Sequence, residues 1–364
     1  MRNLEYLDYK ERKISGRYIT LDDIENLILN AKIFFKVAEF GKSHLHKTIY
    51  KIRLGTGKKR ILIWSQMHGN ESTGTKAVFD LLNFFKNPLK ERKLRDQILK
   101  NCTIIILPML NPDGAEKYTR VTAQDIDLNR DAVALKAPES KLLKELLYKF
   151  KPDYCFNLHD QRPIFSVGEG NKPATISFLA PSVNVERTVT KGRMETMKII
   201  VAMNNVLQTS ISKQIGRYTD EFYPTATGDN FQKAGFNTIL IEAGHYIKDY
   251  EREKTRKLNF IALLSGINQI SSPIAVNYLD YYKIPNNEKK YFDTIYANVI
   301  VEGKKTIFGV YFTDRLNNKK VVYKPVHKVL EKIEMYGCDN LIIKKLEFDN
   351  TNQFIDFLNK NSCV

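Results

Sequence analysis

Five short apolar runs constrain this chain more than any other feature. Ile61–Trp64, Thr103–Leu107, Tyr154–Leu158, Ile176–Ala180 and Thr238–Ile241 are continuous rather than alternating in hydrophobicity, as in strands covered on both faces. Helix-spaced stripes lie between them. One comprises Ala77, Val78, Leu81, Leu82 and Phe85; another comprises Leu142, Leu143, Leu146, Leu147 and Phe150, opening at Pro138-Glu139. A longer helix is expected over about 185–212, with Gly192 as its weak point. Strands alternating with helices in this way predict an α/β domain with a mixed, largely parallel central sheet and helices on both faces.

Residues 1–50 read as a helical lead-in, and residues 111–134 as a long polar loop. Past Ser271-Ser272-Pro273 the pattern changes. Residues 291–301 and 306–312 flank a turn at Glu302–Lys305 and predict a hairpin, followed by a helix near 325–336 and a strand over 341–346. The expected organisation is a catalytic domain over 1–275 and a small α+β appendage over 276–364. At 364 residues there is chain enough for both.

The formal net charge of +16 invites a nucleic-acid reading, but the positive charge is spread along the chain rather than gathered in a patch or tail. It argues against a nucleic-acid surface while remaining able to attract anionic substrates. No run is long and apolar enough for a membrane span, and the opening MRNLEYLDYKERKISGRY lacks the apolar core of a secretory signal. The four cysteines, Cys102, Cys155, Cys338 and Cys363, show no paired spacing and are expected as free thiols. These features together predict a cytoplasmic protein.

The chemistry gathers at the carboxyl ends of the apolar runs, where open α/β sheets place their sites. Gln66-Met67-His68-Gly69-Asn70-Glu71 follows the first run, and its His and Glu can reach a common metal ion. His159 ends a second run and supplies a third ligand, a set that suits zinc with one position left open. Glu242 ends a third run, where an acid is costly unless paired or functional. Beside zinc it can take a proton from water and deliver it to a leaving amine.

His68-Gly69-Asn70-Glu71, Asn111-Pro112-Asp113-Gly114, Thr119-Arg120, Asp127-Leu128-Asn129-Arg130, Leu158-His159 and Ile241-Glu242 occur in the order found in M14 metallocarboxypeptidases. The resemblance spans residue 61 to about 247. It implies the three-layer zinc-carboxypeptidase fold, one Zn2+ and a substrate with a free carboxylate. It also implies roles for individual residues: Arg120 on the oxyanion, Asn129 and Arg130 on the terminal carboxylate, and Asp127 behind the first zinc histidine.

Some positions depart from the family's pattern. Asn70 stands where the digestive members carry arginine, and the interval from Glu71 to His159 is shorter than theirs. Tyr218 is preferred over Tyr223 for the family's mobile active-site tyrosine. Asp229 reads as a turn aspartate, or as an acid suited to a basic terminal residue. His245 is assigned a structural role, and His44, His46 and His327 have no surrounding constellation.

The leading expectation is hydrolysis of the last amide of a peptide. The alternative is a zinc amidohydrolase of small acyl-amino acids, like aspartoacylase or succinylglutamate desuccinylase. A binding protein that keeps the fold without catalysis is disfavoured, because the ligands, the base and both arginines are all present.

Overall fold

A computed structural model describes residues 5–87 and 90–361, so Cys363 lies outside the described residues. The expected helical lead-in is helical only in part. Helix α1 (Leu21–Asn30) is followed by strands β1 (Lys36–Lys42) and β2 (Thr48–Leu54), which form an antiparallel pair. Ile49, Tyr50, Ile52 and Leu54 are buried in β2, and β-branched and aromatic residues of this kind favour a pleated, half-covered surface.

The order then follows the apolar runs. Strand β3 (Lys59–Trp64) leads through helices α2 (Thr73–Lys86) and α3 (Arg92–Asn101) to β4 (Cys102–Leu107). The polar stretch 111–134 contains a short helix, α4 (Pro112–Lys117), and a 3-10 turn over Leu128–Arg130. Helix α5 (Pro138–Phe150), β5 (Tyr154–Asp160), β6 (Ser166–Val167) and β7 (Ile176–Leu179) follow. Helix α6 spans Lys191–Leu207, shorter than expected; the Thr190 hydroxyl caps it by accepting from Arg193 N at 3.2 Å, so Gly192 falls in the first turn. Strand β8 (Ile215–Arg217), α7 (Thr227–Lys233), β9 (Asn237–Ala243) and α8 (Glu253–Ser271) complete the main unit.

Eight strands form one mixed sheet in the order β1-β2-β4-β3-β5-β9-β7-β8, whose central β4-β3-β5-β9 are mutually parallel. The alternation of side chains across this sheet builds two cores. Ile61, Ile63, Phe156 and Ile241 pack against α2, α6 and α8 on one face. Leu62, Trp64 and Cys155 pack against α5 and Phe231 of α7 on the other. The result is three layers. Cys102, Cys155 and Cys338 are free. No described helix is long and apolar enough to cross a membrane.

Beyond α8, a 3-10 turn at Tyr278–Lys283 and strand β10 (Asn287–Glu288), paired with β6, stay with the main unit; Tyr281 and Ile284 lie in its first core. A second sheet then forms from β11 (Tyr291–Val301), β12 (Lys304–Asn317), β13 (Lys320–Leu330), β14 (Gly337–Ile342) and β15 (Leu346–Phe348). The expected β11–β12 hairpin is present. The helix expected near 325–336 is not. Asn318 and Lys319 both have positive φ, as a two-residue hairpin turn requires, and the full-length pairing of β12 with β13 overrides the helix-like spacing of Val326, Val329 and Ile333. Helix α9 (Thr351–Asn361) was not foreseen; it covers this sheet with Phe354 and Leu358, one turn apart.

Candidate metal centre and active site

The parallel strands β3, β5 and β9 end side by side, and each delivers one part of the site. In β5 and β9, His159 and Glu242 are register partners, which puts their side chains on the same face of the sheet. Buried Arg252 ties the two strand ends together, donating to the carbonyls of Ala243 and of Gln161, the latter at 2.8 Å.

The loop after β3 is shaped by backbone constraints. Gln66 is a non-glycine residue at φ 49°, held there by its own side chain, which donates to Ile19 O and Gly69 O at 2.8 Å each and accepts from Thr75. Gly69 packs directly on the backbone of Gly114, where a Cβ would overlap the Gly114 carbonyl carbon. The Asn111 side chain caps α4 by accepting from Gly114 N at 2.9 Å, and donates to Met67 O and Val121 O. The Asn-Pro-Asp-Gly turn thus braces the ligand loop from below.

These constraints bring His68, Glu71 and His159 together. His68 Nδ1 lies 2.8 Å from Glu71 Oε1, His159 Nδ1 lies 2.9 Å from Glu71 Oε2, and the two Nδ1 atoms are 3.2 Å apart. All three side chains are buried. His68 Nε2 faces Asp127 Oδ1 at 3.1 Å. A proton on Nε2 for that bond leaves a lone pair on Nδ1, aimed at the carboxylate of Glu71 and at a second imidazole nitrogen. Lone pairs converging at these distances repel unless a proton or a cation sits among them. Two imidazoles and a carboxylate are also the donor set and spacing that zinc takes, with donors about 3.3 Å apart when each lies near 2 Å from the ion.

The charges point the same way. Burial opposes protonation of His68, yet Glu71 and Asp127 raise its pKa. Burial opposes ionisation of Glu71, but the two histidines hold it well below the usual carboxylate range. Asp127 is likewise lowered, its burial outweighed by His68 and Arg120. Burial dominates at His159 and lowers it. The Arg120 guanidinium leans over the cluster, with Nε donating to Asp127 at 3.0 Å and Nη1 3.2 Å from His68 Nδ1 and 3.4 Å from Glu71.

Glu242 has no hydrogen-bond partner among the described residues, and burial together with the charges of Glu71 and Asp160 pushes it well above the usual carboxylate range. Tyr218 packs on Phe165, and its hydroxyl is pushed up by burial and then by Glu242 and Glu71, so it stands within their electrostatic reach. Tyr223 instead lies under Arg130, whose guanidinium carbon is 5.3 Å from the ring centre. Arg130 is exposed and makes no ion pair among the described residues; its Nη1 donates to Asn129 O at 2.8 Å. The Asn129 side chain accepts from Thr227 N, tying the pair to α7. Asp229, in the first turn of α7, is buried, and its pKa rises to about 6 through burial.

The remaining histidines lie elsewhere. His245 is buried against Asp339 rather than the metal cluster, and His327 packs on Phe308 and Phe354 of the second sheet. Sequence reasoning missed Arg252 and Asp160. Asp160 accepts from Thr73 at 2.6 Å, while its backbone N–H donates to Glu71 at 3.1 Å. Asp160 adjoins His159, a signal that was available; Arg252 carries no spacing that would have marked it.

Comparison with known proteins agrees with this geometry. Residues 21–163 match the zinc carboxypeptidase family, peptidase M14. Carboxypeptidase 2 of Trichophyton rubrum is 31% identical over 104 residues, 28% of this chain and 19% of that protein. Carboxypeptidase SOL1 of Arabidopsis thaliana is 30% identical over 103 residues, 26% of this chain and 21% of that protein. The chain thus spans about a fifth of the length of these relatives. Among solved structures, a metallo-carboxypeptidase from Burkholderia cenocepacia superposes with a TM-score of 0.57 at 17% identity, covering 70% of this chain and 69% of its own. Carboxypeptidase A from Helicoverpa armigera gives 0.54 at 17%, covering 70% and 74%. Both likenesses concern the fold. The family match over residues 21–163, the ordered motifs and the three-layer architecture agree, and this part of the chain resembles the M14 zinc carboxypeptidases.

Proposed function

We propose that this protein is a zinc-dependent metallocarboxypeptidase that hydrolyses the C-terminal amide bond of peptides. The observation that carries the reading is the convergence of His68, Glu71 and His159 beside an unpartnered Glu242, with the Arg120 guanidinium at the rim. Zinc held by the three ligands supplies a Lewis acid that polarises the scissile carbonyl and makes water acidic near neutral pH. Glu242 accepts the proton of the attacking water and passes it to the departing amine. Arg120 donates N–H to the oxygen as its charge develops, where a permanently charged donor is effective. Arg130, free of a carboxylate partner, grips the substrate's terminal carboxylate with Asn129, and Tyr218 closes on the bound residue. Asp127 keeps the His68 proton on Nε2 so that Nδ1 remains a ligand.

We assign this chemistry to the domain expected over 1–275, together with the Tyr278–Glu288 segment whose core residues pack into it. The rest of the chain is the C-terminal α+β unit. The free thiols are in keeping with a cytoplasmic location.

Peptides with free and amidated C-termini, assayed beside acyl-amino acids, test the proposal. Free-carboxyl peptides should turn over and amidated ones should not. Glu242→Gln should retain zinc yet lose kcat by about 10²–10⁴-fold. Turnover of acyl-amino acids alone would transfer the site to a small-molecule amidohydrolase.

A further inference from the structure

A second cluster of ligating side chains lies where the C-terminal sheet meets the catalytic unit. His245 follows the end of β9, Asp293 lies on β11 and Asp339 on β14. His245 Nε2 is 2.8 Å from Asp339 Oδ2 and 3.9 Å from Asp293 Oδ1, and one donor atom from each residue lies within 4.8 Å of the others. These separations bracket the roughly 3.3 Å between neighbouring donors around a tetrahedral ion.

Charge and packing distinguish the cluster from an ordinary ion pair. Two carboxylates and one imidazole are enclosed together, with side-chain exposures of 4% for His245, 2% for Asp293 and 5% for Asp339. No lysine or arginine lies within ion-pair distance of either aspartate among the described residues. With both aspartates ionised, even a protonated His245 leaves one negative charge uncompensated, which is costly at this depth. Each carboxylate is also held by outer donors. The Tyr291 hydroxyl donates to Asp339 Oδ1 at 2.7 Å, the oxygen turned away from His245. Phe312 N donates to Asp293 Oδ2 at 3.0 Å, the oxygen farther from His245, and Tyr250 donates at 2.5 Å to Oδ1, leaving that oxygen a further lone pair. Outer hydrogen bonds of this kind orient the ligands of metal sites.

We propose that His245, Asp293 and Asp339 bind a second divalent transition-metal cation, which fastens the exit of β9 to the C-terminal sheet. A nitrogen and two hard oxygens suit zinc and its neighbours rather than calcium, which takes six or more oxygen ligands. The site stands apart from the His68, Glu71, His159 cluster and shares no ligand with it.

The test is metal stoichiometry of the full chain, stripped with chelator and dialysed against Zn2+. Two equivalents are expected in the wild type, one in the double variant His68→Ala, Glu71→Gln, and one in Asp339→Asn. Affinity for the second equivalent should fall at least 100-fold in Asp339→Asn. A single equivalent in the wild type that disappears in the His68→Ala, Glu71→Gln variant, or a second equivalent undiminished in Asp339→Asn, would overturn the proposal and leave a hydrogen-bonded Asp-His-Asp cluster. Should Asp339→Asn fail to fold, Co2+ added to the His68→Ala, Glu71→Gln variant reads the intact second cluster directly. Ligand-field absorption bands are expected there, and a featureless spectrum overturns the proposal. Because the readout is metal content, its failure is separate from any failure of the peptidase reading.

Discussion

Asp127 and Asp229 illustrate how environment separates two aspartates of one domain. Asp127 sits between His68 and Arg120 and stays ionised. Its carboxylate decides which nitrogen of His68 carries the proton, so Asp127→Asn should weaken Zn2+ binding by about 10–100-fold. Metal-competition titration would reveal this, and unchanged affinity would mean that the histidine tautomer is set elsewhere. Asp229 is buried, and burial outweighs the backbone N–H groups and the charges of Arg130 and Arg193, pushing its pKa up to about 6. The sign is opposite to the common carboxylate case. Between about pH 4 and 6 the folded chain holds a proton that the unfolded chain releases, so stability falls as pH rises through that window and stays lowered above it. Asp229→Asn should therefore stabilise the protein by roughly 2–3 kcal/mol at pH 7 and by little at pH 4. Denaturant unfolding at the two pH values measures this, and an equal effect at both would contradict it.

At the scale of elements, the ligand loop after β3 and the turn that opens α4 are one mechanical unit. His68 and Glu71 are placed by Gly69 resting on Gly114 and by the Asn111 side chain reaching Met67 O. Gly69→Ala inserts a Cβ into backbone that has no rotamer with which to yield. We expect a loss of about 3 kcal/mol of stability or more, together with loss of bound zinc. Thermal unfolding and metal analysis would report both, and a stable variant with full metal would show that the loop can part from the turn. The Asn-Pro-Asp-Gly string was legible in sequence as part of the family's ordered motifs, but its purpose was not. Asp113 serves the fold, accepting from the Ser43 hydroxyl at 2.7 Å and Leu45 N at 2.9 Å.

Across the whole molecule, polar contacts join the C-terminal sheet to the main unit. Besides His245, Arg17 makes an ion pair with Asp314 of β12 at 3.1 Å, and the Tyr118 hydroxyl donates to the same carboxylate. Arg17 is buried, and its carbonyl accepts from Ser72, the residue after Glu71. Asp314→Asn leaves that guanidinium without a counter-charge and should destabilise the protein by about 3–5 kcal/mol. Equilibrium unfolding tests this; a shift below about 1 kcal/mol would mean that the two units associate without the pair. Asp314 is held below the usual carboxylate range, its burial outweighed by Arg17, so this contribution is present at neutral pH and is lost as pH falls through its lowered pKa.

The parallel centre of the sheet and the residues at its strand ends were legible in the order of amino acids alone. Continuous apolar runs bury on both faces, and His68, His159 and Glu242 sit at fixed offsets from them. That order could not determine which edge strands join the centre. Strand β2 joins that centre by pairing with β4, a partner distant in the chain, whereas the local β12–β13 hairpin is hidden by helix-like spacing, and the apolar face of α9 has a partner only once the sheet it covers has formed. The folded arrangement alone set which lone pairs face one another, that Arg130 makes no ion pair among the described residues, and that His245 meets two aspartates from a separate sheet. Periodicity reports which face of an element is buried, whereas a site depends on distances between groups that the chain brings together only when it folds.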